Sequence, residues 1–211
     1  MNSNLIIREA KIQDAKRLVE IYAPYVKDSA VSFEYKIPSV EEFEERIRHI
    51  TEKYPYIVCL KDEKIVGYAY ASSYSSREAY DWTATSSIYV DKEFRRQGVG
   101  TLLYKELEDR LRKQGIVNLL AGVAYIEAED KHLTKDSYYV HTKMGYEKVA
   151  HMKAVGKKFD TWYDLFWLQS GLIFAGIVTR LERNFWTSLP LALRRRKSES
   201  FLPGKMMRSI F

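Results

Sequence analysis

Cysteine is almost missing from this chain: Cys59 is the only one in 211 residues. An internal disulfide is therefore excluded, which fits a reducing compartment. Paired cysteines and a His-x-x-x-His pair are also missing, so no metal site is legible. Long apolar runs are scarce. Leu5-Ile6-Ile7 is followed at once by Arg8-Glu9, too short a run for a signal peptide. The stretch without charge between Asp164 and Arg180 spans 15 residues and contains Gln169 and Ser170. It falls short of the roughly 20 apolar residues that a spanning helix needs. A cytoplasmic protein is expected. Repeats and low-complexity tracts are absent too. The body lacks net charge: Arg180, Arg183, Arg194, Arg195, Arg196, Lys197, Lys205 and Arg208, set against Glu182 and Glu199, account for the whole +6. The basic balance thus belongs to the last 41 residues, 171–211. With no interleaving of aromatic and basic residues in the body, nucleic acid is not an expected partner.

What is present suffices for a core, with 46% apolar and 14% aromatic residues. The length suits one domain with an appendage. Leu5 to Glu9 reads as a strand. Gln13-Asp14 opens a helix with Ala15, Leu18, Val19 and Tyr22 on its apolar face, which Pro24 is expected to bend or end. Ser39 and Glu42 form a capping-box pattern before Val40, Phe43, Ile47 and Ile50. Tyr56–Leu60 and Ile65–Tyr74 read as a hairpin around Lys61-Asp62-Glu63-Lys64. Asp81 to Val90 is a long strand, and Asn118 to Ala124 a buried one. Asp136 to Met144 is a short helix ended by Gly145. Tyr146–Val155 and Phe159–Trp167 form a last hairpin with Gly156-Lys157-Lys158 at its tip. The order β-α-α-β-β-β-α-β-α-β-β makes an α+β fold: a mixed sheet, antiparallel in its first half, with helices on both faces. Between Ser87 and Ala124 the crossover suits parallel neighbours.

At the centre lies Arg95-Arg96-Gln97-Gly98-Val99-Gly100, between the long strand and a helix whose Leu103, Tyr104, Leu107 and Leu111 share a face. A Walker loop is excluded, because Thr101-Leu102 follows Gly100. A dinucleotide fingerprint is excluded, because Leu103 stands where its third glycine belongs. Two arginines before a glycine-rich helix start form a seat for a phosphate or pyrophosphate.

Arg95-x-x-Gly98-x-Gly100 after Ser87-Ile88-Tyr89-Val90 resembles the coenzyme A signature of GNAT-superfamily N-acetyltransferases. Ser32-Phe33-Glu34, Ala79-Tyr80-Asp81-Trp82-Thr83, His141-x-x-x-Gly145-Tyr146 and Val155-Gly156-Lys157-Lys158-Phe159-x-x-Trp162 resemble the phosphinothricin-type branch. The likeness covers about Leu5 to Leu168, which implies a GNAT-like domain over residues 1–168 and leaves 169–211 as an extension. It implies a mostly antiparallel sheet with a diverging central strand pair, and acetyl transfer from acetyl-CoA to a primary amine. It further implies that Gln97, Gly98, Val99, Gly100 and Thr101 cradle the pyrophosphate beside Arg95 and Arg96. The pantetheine arm would pair with Ile88, Tyr89 and Val90, with Ser137 also near the cofactor. Val90 N–H would hold the developing oxyanion.

Direct transfer needs a base for the amine, donors for the oxyanion and a proton for the leaving thiolate. His141 stands where the superfamily places its thiolate acid, with Tyr138 and Tyr139 as neighbouring alternatives. His49, His132 and His151 read as ordinary structural histidines. Thr85 stands where the branch usually has a glutamate base, and Thr134 where it often has an asparagine. Three accounts follow: Glu34 is the base, directly or through water; the acceptor amine needs little help; or the protein binds acetyl-CoA with weak or no catalysis. The acceptor pocket is expected to draw on Phe33, Tyr35, Tyr74, Arg77, Tyr80 and Trp162, with Arg77 suited to an acceptor carboxylate. The branch also implies a possible homodimer. The extension reads as a weakly ordered segment, a docked helical appendage or a contact with an anionic membrane surface.

Overall fold

The computed structural model describes residues 5–172. The expectations for the basic extension fall outside those residues. Among the described residues, no helix is long and apolar enough to cross a membrane.

A seven-stranded sheet runs in the order β1-β2-β3-β4-β5-β7-β6. Its strands are β1 (Leu5–Glu9), β2 (Tyr56–Lys61), β3 (Lys64–Ser73), β4 (Thr83–Val90), β5 (Asn118–Tyr125), β6 (Glu147–Lys158) and β7 (Thr161–Gly171). Only β4 and β5 pair in parallel, joined by the crossover helix α3 (Val99–Gln114). The other neighbours are antiparallel. The expected mixed, mostly antiparallel sheet is what the chain forms.

One face carries α1 (Ala15–Lys27) and α2 (Val40–Thr51). Ala15, Leu18, Ile21, Tyr22, Tyr25 and Val26 of α1 are buried with Phe43 and Ile47 of α2 against Tyr56, Val58 and Tyr68. Ser39 caps α2 as its spacing implies: Glu42 N–H donates to Ser39 Oγ at 3.2 Å, and Ser39 N–H to Glu42 Oε2 at 2.8 Å. Pro24 does not end α1, which continues to Lys27. Proline there forfeits one bond, to the carbonyl of solvent-exposed Glu20, and buried residues on both sides hold the helix together.

The other face carries α3 and α4 (Asp136–Lys143). Val99, Leu103, Tyr104, Leu107 and Leu111 are all buried, as the four-residue spacing requires. Gly115, in the left-handed region at φ 92°, closes the helix.

The last hairpin turns later than expected. Lys158 pairs with Thr161, and Phe159 and Asp160 form the two-residue tip with φ 51° and 57°. Gly156 lies inside β6 because the Phe33 ring fills the space of a side chain: a Cβ there would sit 2.4 Å from it. β7 also runs past Leu168 to Gly171, and Leu172 N–H donates to Val117 C=O at 2.8 Å.

Cys59 lies fully buried in β2, and burial pushes its thiol up to about 11. Native protein is therefore expected to resist a thiol reagent for hours at pH 8, and denatured protein to react within minutes. Fast native labelling would show that β2 is open.

Candidate active site

β4 and β5 pair only from Thr83↔Asn118 to Ser86↔Ala121, although both strands continue. Beyond Ser86 they part, and the gap lies beside the start of α3. The bond from Asp91 N–H to Val66 C=O, 2.9 Å, sets the phase of β4. In an antiparallel ladder every second residue turns its backbone groups to the same neighbour. Ser87 and Tyr89 therefore spend theirs on β3, and Ile88 and Val90 turn theirs toward the gap.

The turn into α3 is built for close approach. Gly98 caps the helix at φ 82°, a conformation costly for other residues. Arg96 also has positive φ, 59°, and its side chain is 88% exposed, 3.8 Å from Asp136. Gln97 closes the turn: its Nε2 donates to Glu93 C=O, and its Oε1 accepts from Lys61 Nζ, both at 2.9 Å. The N–H groups at a helix start have no partner inside the helix, so those of Val99, Gly100 and Thr101 form a cradle for an anion. A Cβ on Gly100 would lie 3.8 Å from Ile88 and 3.9 Å from Val90, in the space between cradle and gap. Protein packing alone does not demand glycine at that position. These features fit a pyrophosphate with an extended arm.

Several expected roles meet a different geometry. Tyr89 directs its backbone to β3 and its ring onto Tyr22 and Tyr25, at 4.8 and 5.1 Å. The Val90 amide is already engaged: it donates to the Tyr25 hydroxyl at 3.1 Å, and that hydroxyl donates to Val90 C=O at 2.6 Å. Arg95 lies over the Tyr25 ring, 4.8 Å from its centroid. His141 is 4% exposed. Its Nδ1 donates to Ser137 C=O at 2.6 Å, since a carbonyl only accepts, and its Nε2 therefore accepts from the Tyr104 hydroxyl at 2.6 Å. Tyr104 in turn lies 3.5 Å from Ser86 Oγ, at the last paired position of β4. His141 thus reaches the gap only through Tyr104 and Ser86. Burial, opposed by the bond to Ser137, lowers its pKa, and burial raises that of Tyr104.

The α1/α2 face of the gap is framed by two aromatic groups. Tyr74 meets Tyr80 and Trp167 at 5.4 and 6.4 Å, and Trp167 lies beside Gly122 of β5. Phe33 packs against Ala124, Tyr163 and Gly156. The loop bearing Phe33 and Glu34 is clamped by Lys158, whose Nζ donates to Ser29 C=O at 2.9 Å and Ser32 C=O at 2.7 Å. Burial lowers the pKa of Lys158, with Glu34 opposing. Glu34 accepts from Arg46 Nη1 at 2.9 Å. Thr85, half-buried, shares its hydroxyl with Ser72 Oγ at 2.7 Å. Tyr35 bonds Lys157 C=O and lines a separate cavity of about 410 Å³ with Val26, Ile37 and Phe159. Arg77 is exposed, and Trp162 is exposed at the hairpin tip. The expected acceptor set therefore splits into separate patches. Among the described residues no cluster of His, Cys, Asp and Glu suits a metal ion.

Residues 7–167 match the family described as the acetyltransferase (GNAT) domain. The chain belongs to the GNAT acetyltransferases. It is 32% identical to a phosphinothricin N-acetyltransferase of Alcaligenes faecalis, over 79% of this chain and 82% of that one. It is 28% identical to an L-amino acid N-acyltransferase of Escherichia coli, over 77% and 91%. A crystal structure of a phosphinothricin acetyltransferase from Sinorhizobium meliloti, in complex with acetyl-CoA, is similar with a TM-score of 0.72 and 32% identity, over 81% and 89%. These relatives are named for catalysis, so this GNAT chain is an acyltransferase, and the reading as a binding protein without turnover is not favoured.

Four residues around the gap and the Glu34 loop were given no site role by the sequence reading: Tyr25, Tyr104, Lys158 and Trp167. Only the Lys157-Lys158 pair in the hairpin motif carried a signal, and it pointed to an exposed tip. The buried histidine has a measurable consequence. Above pH about 6.5 an imidazole is neutral in folded and unfolded chains alike. Below it the unfolded chain takes up a proton that buried His141 resists, so stability falls with pH. The Tm of the native chain is expected to drop more steeply between pH 7 and 5.5 than that of His141→Gln. Parallel curves would mean that His141 is protonated without cost.

Proposed function

We propose that this chain moves the acetyl group of acetyl-CoA to the primary amine of an amino acid or similar small molecule by direct transfer. The observation carrying this reading is the parting of β4 and β5 beside the glycine-rich start of α3. One side of the gap offers a cradle for a pyrophosphate, the other a face that carries Trp167 beside Gly122 and Phe33 with its neighbour Glu34. The amides of Val99, Gly100 and Thr101 bind the pyrophosphate, with Arg96 beside it. The backbone of Ile88 pairs with the pantetheine arm. When bound, acetyl-CoA supplies the activated acetyl thioester.

Glu34 takes the proton of the acceptor ammonium, directly or through a water held by Thr85. Its loop is fixed by Lys158 and its carboxylate oriented by Arg46. His141 accepts from the Tyr104 hydroxyl, which lies beside Ser86 at the last paired position of β4, and so orients these hydroxyls; with no proton on Nε2 it does not donate to the departing thiolate. An acyl-enzyme on Cys59 has no support, since that thiol is buried in β2 and held protonated. The relatives' names point to amino-acid-like acceptors. Arg77, exposed in the loop after β3, and Arg46, which holds Glu34, are basic groups suited to pair with an acceptor carboxylate.

The test is a CoA-release screen of the full chain over the free amino acids, phosphinothricin, methionine sulfoximine, methionine sulfone and simple alkylamines. Turnover confined to amines with a neighbouring carboxylate is expected. Equal rates on alkylamines would remove the amino-acid reading and leave the transferase.

A further inference from the structure

Apart from the gap, a surface recess of about 410 Å³ lies between the end of α1, the segment that follows Glu34 and the tip of the β6–β7 hairpin. No residue of β4 or β5 lines it. Its apolar walls are Val26, Tyr35, Ile37 and Phe159, and its polar lining is Lys27, Lys36 and Lys158. Three cations and no carboxylate therefore face one space. The neighbouring carboxylates are drawn elsewhere: Asp28 to Lys92 at 3.0 Å, Asp160 to Lys157 at 3.6 Å, and Glu34 to Arg46 at 2.9 Å. Lys158 is the fixed member. It is 4% exposed, and its ammonium donates to the carbonyls of Ser29 and Ser32. An ammonium has three N–H groups, so one is left over on a side chain that lines the recess. A desolvated ammonium gains more from an anion than an exposed one does. The aromatic walls are held too. Phe159 stacks on His132 with ring centroids 3.7 Å apart, and the Tyr35 hydroxyl donates to Lys157 C=O.

We propose that this recess is a second binding site, for a small organic monoanion with a flat apolar body, such as an aromatic carboxylate. The carboxylate takes the remaining N–H of Lys158 and lies in the field of Lys27 and Lys36. The ring lies against Tyr35, Ile37 and Phe159. The volume falls within the range of small-molecule sites, which are mostly apolar with a few convergent polar groups. The charge also says what the recess rejects. An ammonium, the acceptor's included, meets three like charges and no opposite one, an arrangement that suppresses wrong partners. A neutral apolar molecule covers the Lys158 N–H without giving it an acceptor. The site is independent of the gap between β4 and β5, and so does not rest on the acetyl-transfer reading. Its occupant touches the segment that carries Glu34, because Tyr35, Lys36 and Ile37 follow that residue directly.

The probe is 2-naphthoate, titrated into the full chain with CoA in excess, so that the anion cradle of α3 does not compete for it. The amide ¹H–¹⁵N signals of Tyr35, Lys36, Ile37, Lys158 and Phe159 should shift together, with Kd about 1 mM, the scale for a ligand of this size. The neutral amide of the same shape, 2-naphthamide, should bind at least about tenfold more weakly, and 2-naphthylmethylamine should not bind. Ile37→Asp sets a carboxylate in the recess at an exposed position and should weaken naphthoate by about tenfold or more. Lys158→Met should abolish binding. That variant also releases the carbonyls of Ser29 and Ser32, so Lys27→Gln with Lys36→Gln, both exposed, is measured beside it and should weaken naphthoate about tenfold. Equal affinity for naphthoate and naphthamide, native affinity in Ile37→Asp, or shifts confined to the start of α3 overturn the proposal. An affinity that falls as protein concentration rises would mean that a second copy of the chain covers the recess, and overturns it as well.

Discussion

Gly100→Ala is expected to bind acetyl-CoA about 10- to 100-fold more weakly than the native chain, while becoming slightly more stable. The two effects have separate causes. Gly100 lies in the first turn of α3, where alanine is the better helix former by up to about 1 kcal/mol. A Cβ there meets only Ile88 and Val90, at 3.8 and 3.9 Å, which is ordinary contact. The new methyl group projects into the space between the amide cradle and β4. It holds the pyrophosphate away from N–H groups that bind it best at hydrogen-bond distance. Losing about one such charged contact is worth about 1.4 kcal/mol, or tenfold. Gly98→Ala makes the contrast. Its Cβ would meet nothing within 4 Å, but φ is 82°. The cost there is backbone strain of about 1–2 kcal/mol, so stability drops. Calorimetry with acetyl-CoA and denaturant unfolding of both variants check the pair. Native-like affinity in Gly100→Ala would show that the cofactor binds elsewhere.

Glu34→Gln is expected to lower kcat/KM about 100-fold at neutral pH, at the lower end of what a positioned base contributes. Glutamine retains the acceptor oxygen for Arg46, so the loop keeps its shape and Tm shifts little. Without the carboxylate only the neutral fraction of the acceptor amine reacts. The rate of the variant should then climb tenfold per pH unit toward the amine's own pKa, more steeply than the native rate. Thr85→Glu tests the same step from β4. It adds a carboxylate beside Ser72, on the half-buried side of the strand. In the double variant with Glu34→Gln it should restore part of the lost rate. An unchanged kcat/KM in Glu34→Gln would leave the acceptor to lose its proton to solvent.

Sequence periodicity identified what depends on neighbours along the chain. The α3 stripe, the Ser39–Glu42 cap and the Gly115 stop are all local hydrogen bonds or one-face patterns, and each formed as its spacing requires. The anion seat was legible for the same reason, since a helix start and two glycines suffice to make it. Pro24 shows the limit of local rules. Its penalty is real, but buried residues on either side outweigh it, and burial is decided by α2 and the sheet. Gly156 was read as a turn residue although its reason lies in Phe33, distant in sequence.

The chemistry divides along the same line. The residues by themselves determined that a strand, a glycine turn and a helix would meet, and that they would fit a pyrophosphate. Only the tertiary structure decided which groups remain free to act. It buried His141 behind Tyr104 and brought the Tyr25 hydroxyl of α1 onto Val90 of β4. It also tied Glu34 to Arg46 through the loop that Lys158 clamps. The turn into α3 needs only adjacent residues, so its bonds are written in its own few positions. A hydrogen bond between α1 and the end of β4 depends on how two elements pack, and no spacing within either one encodes it.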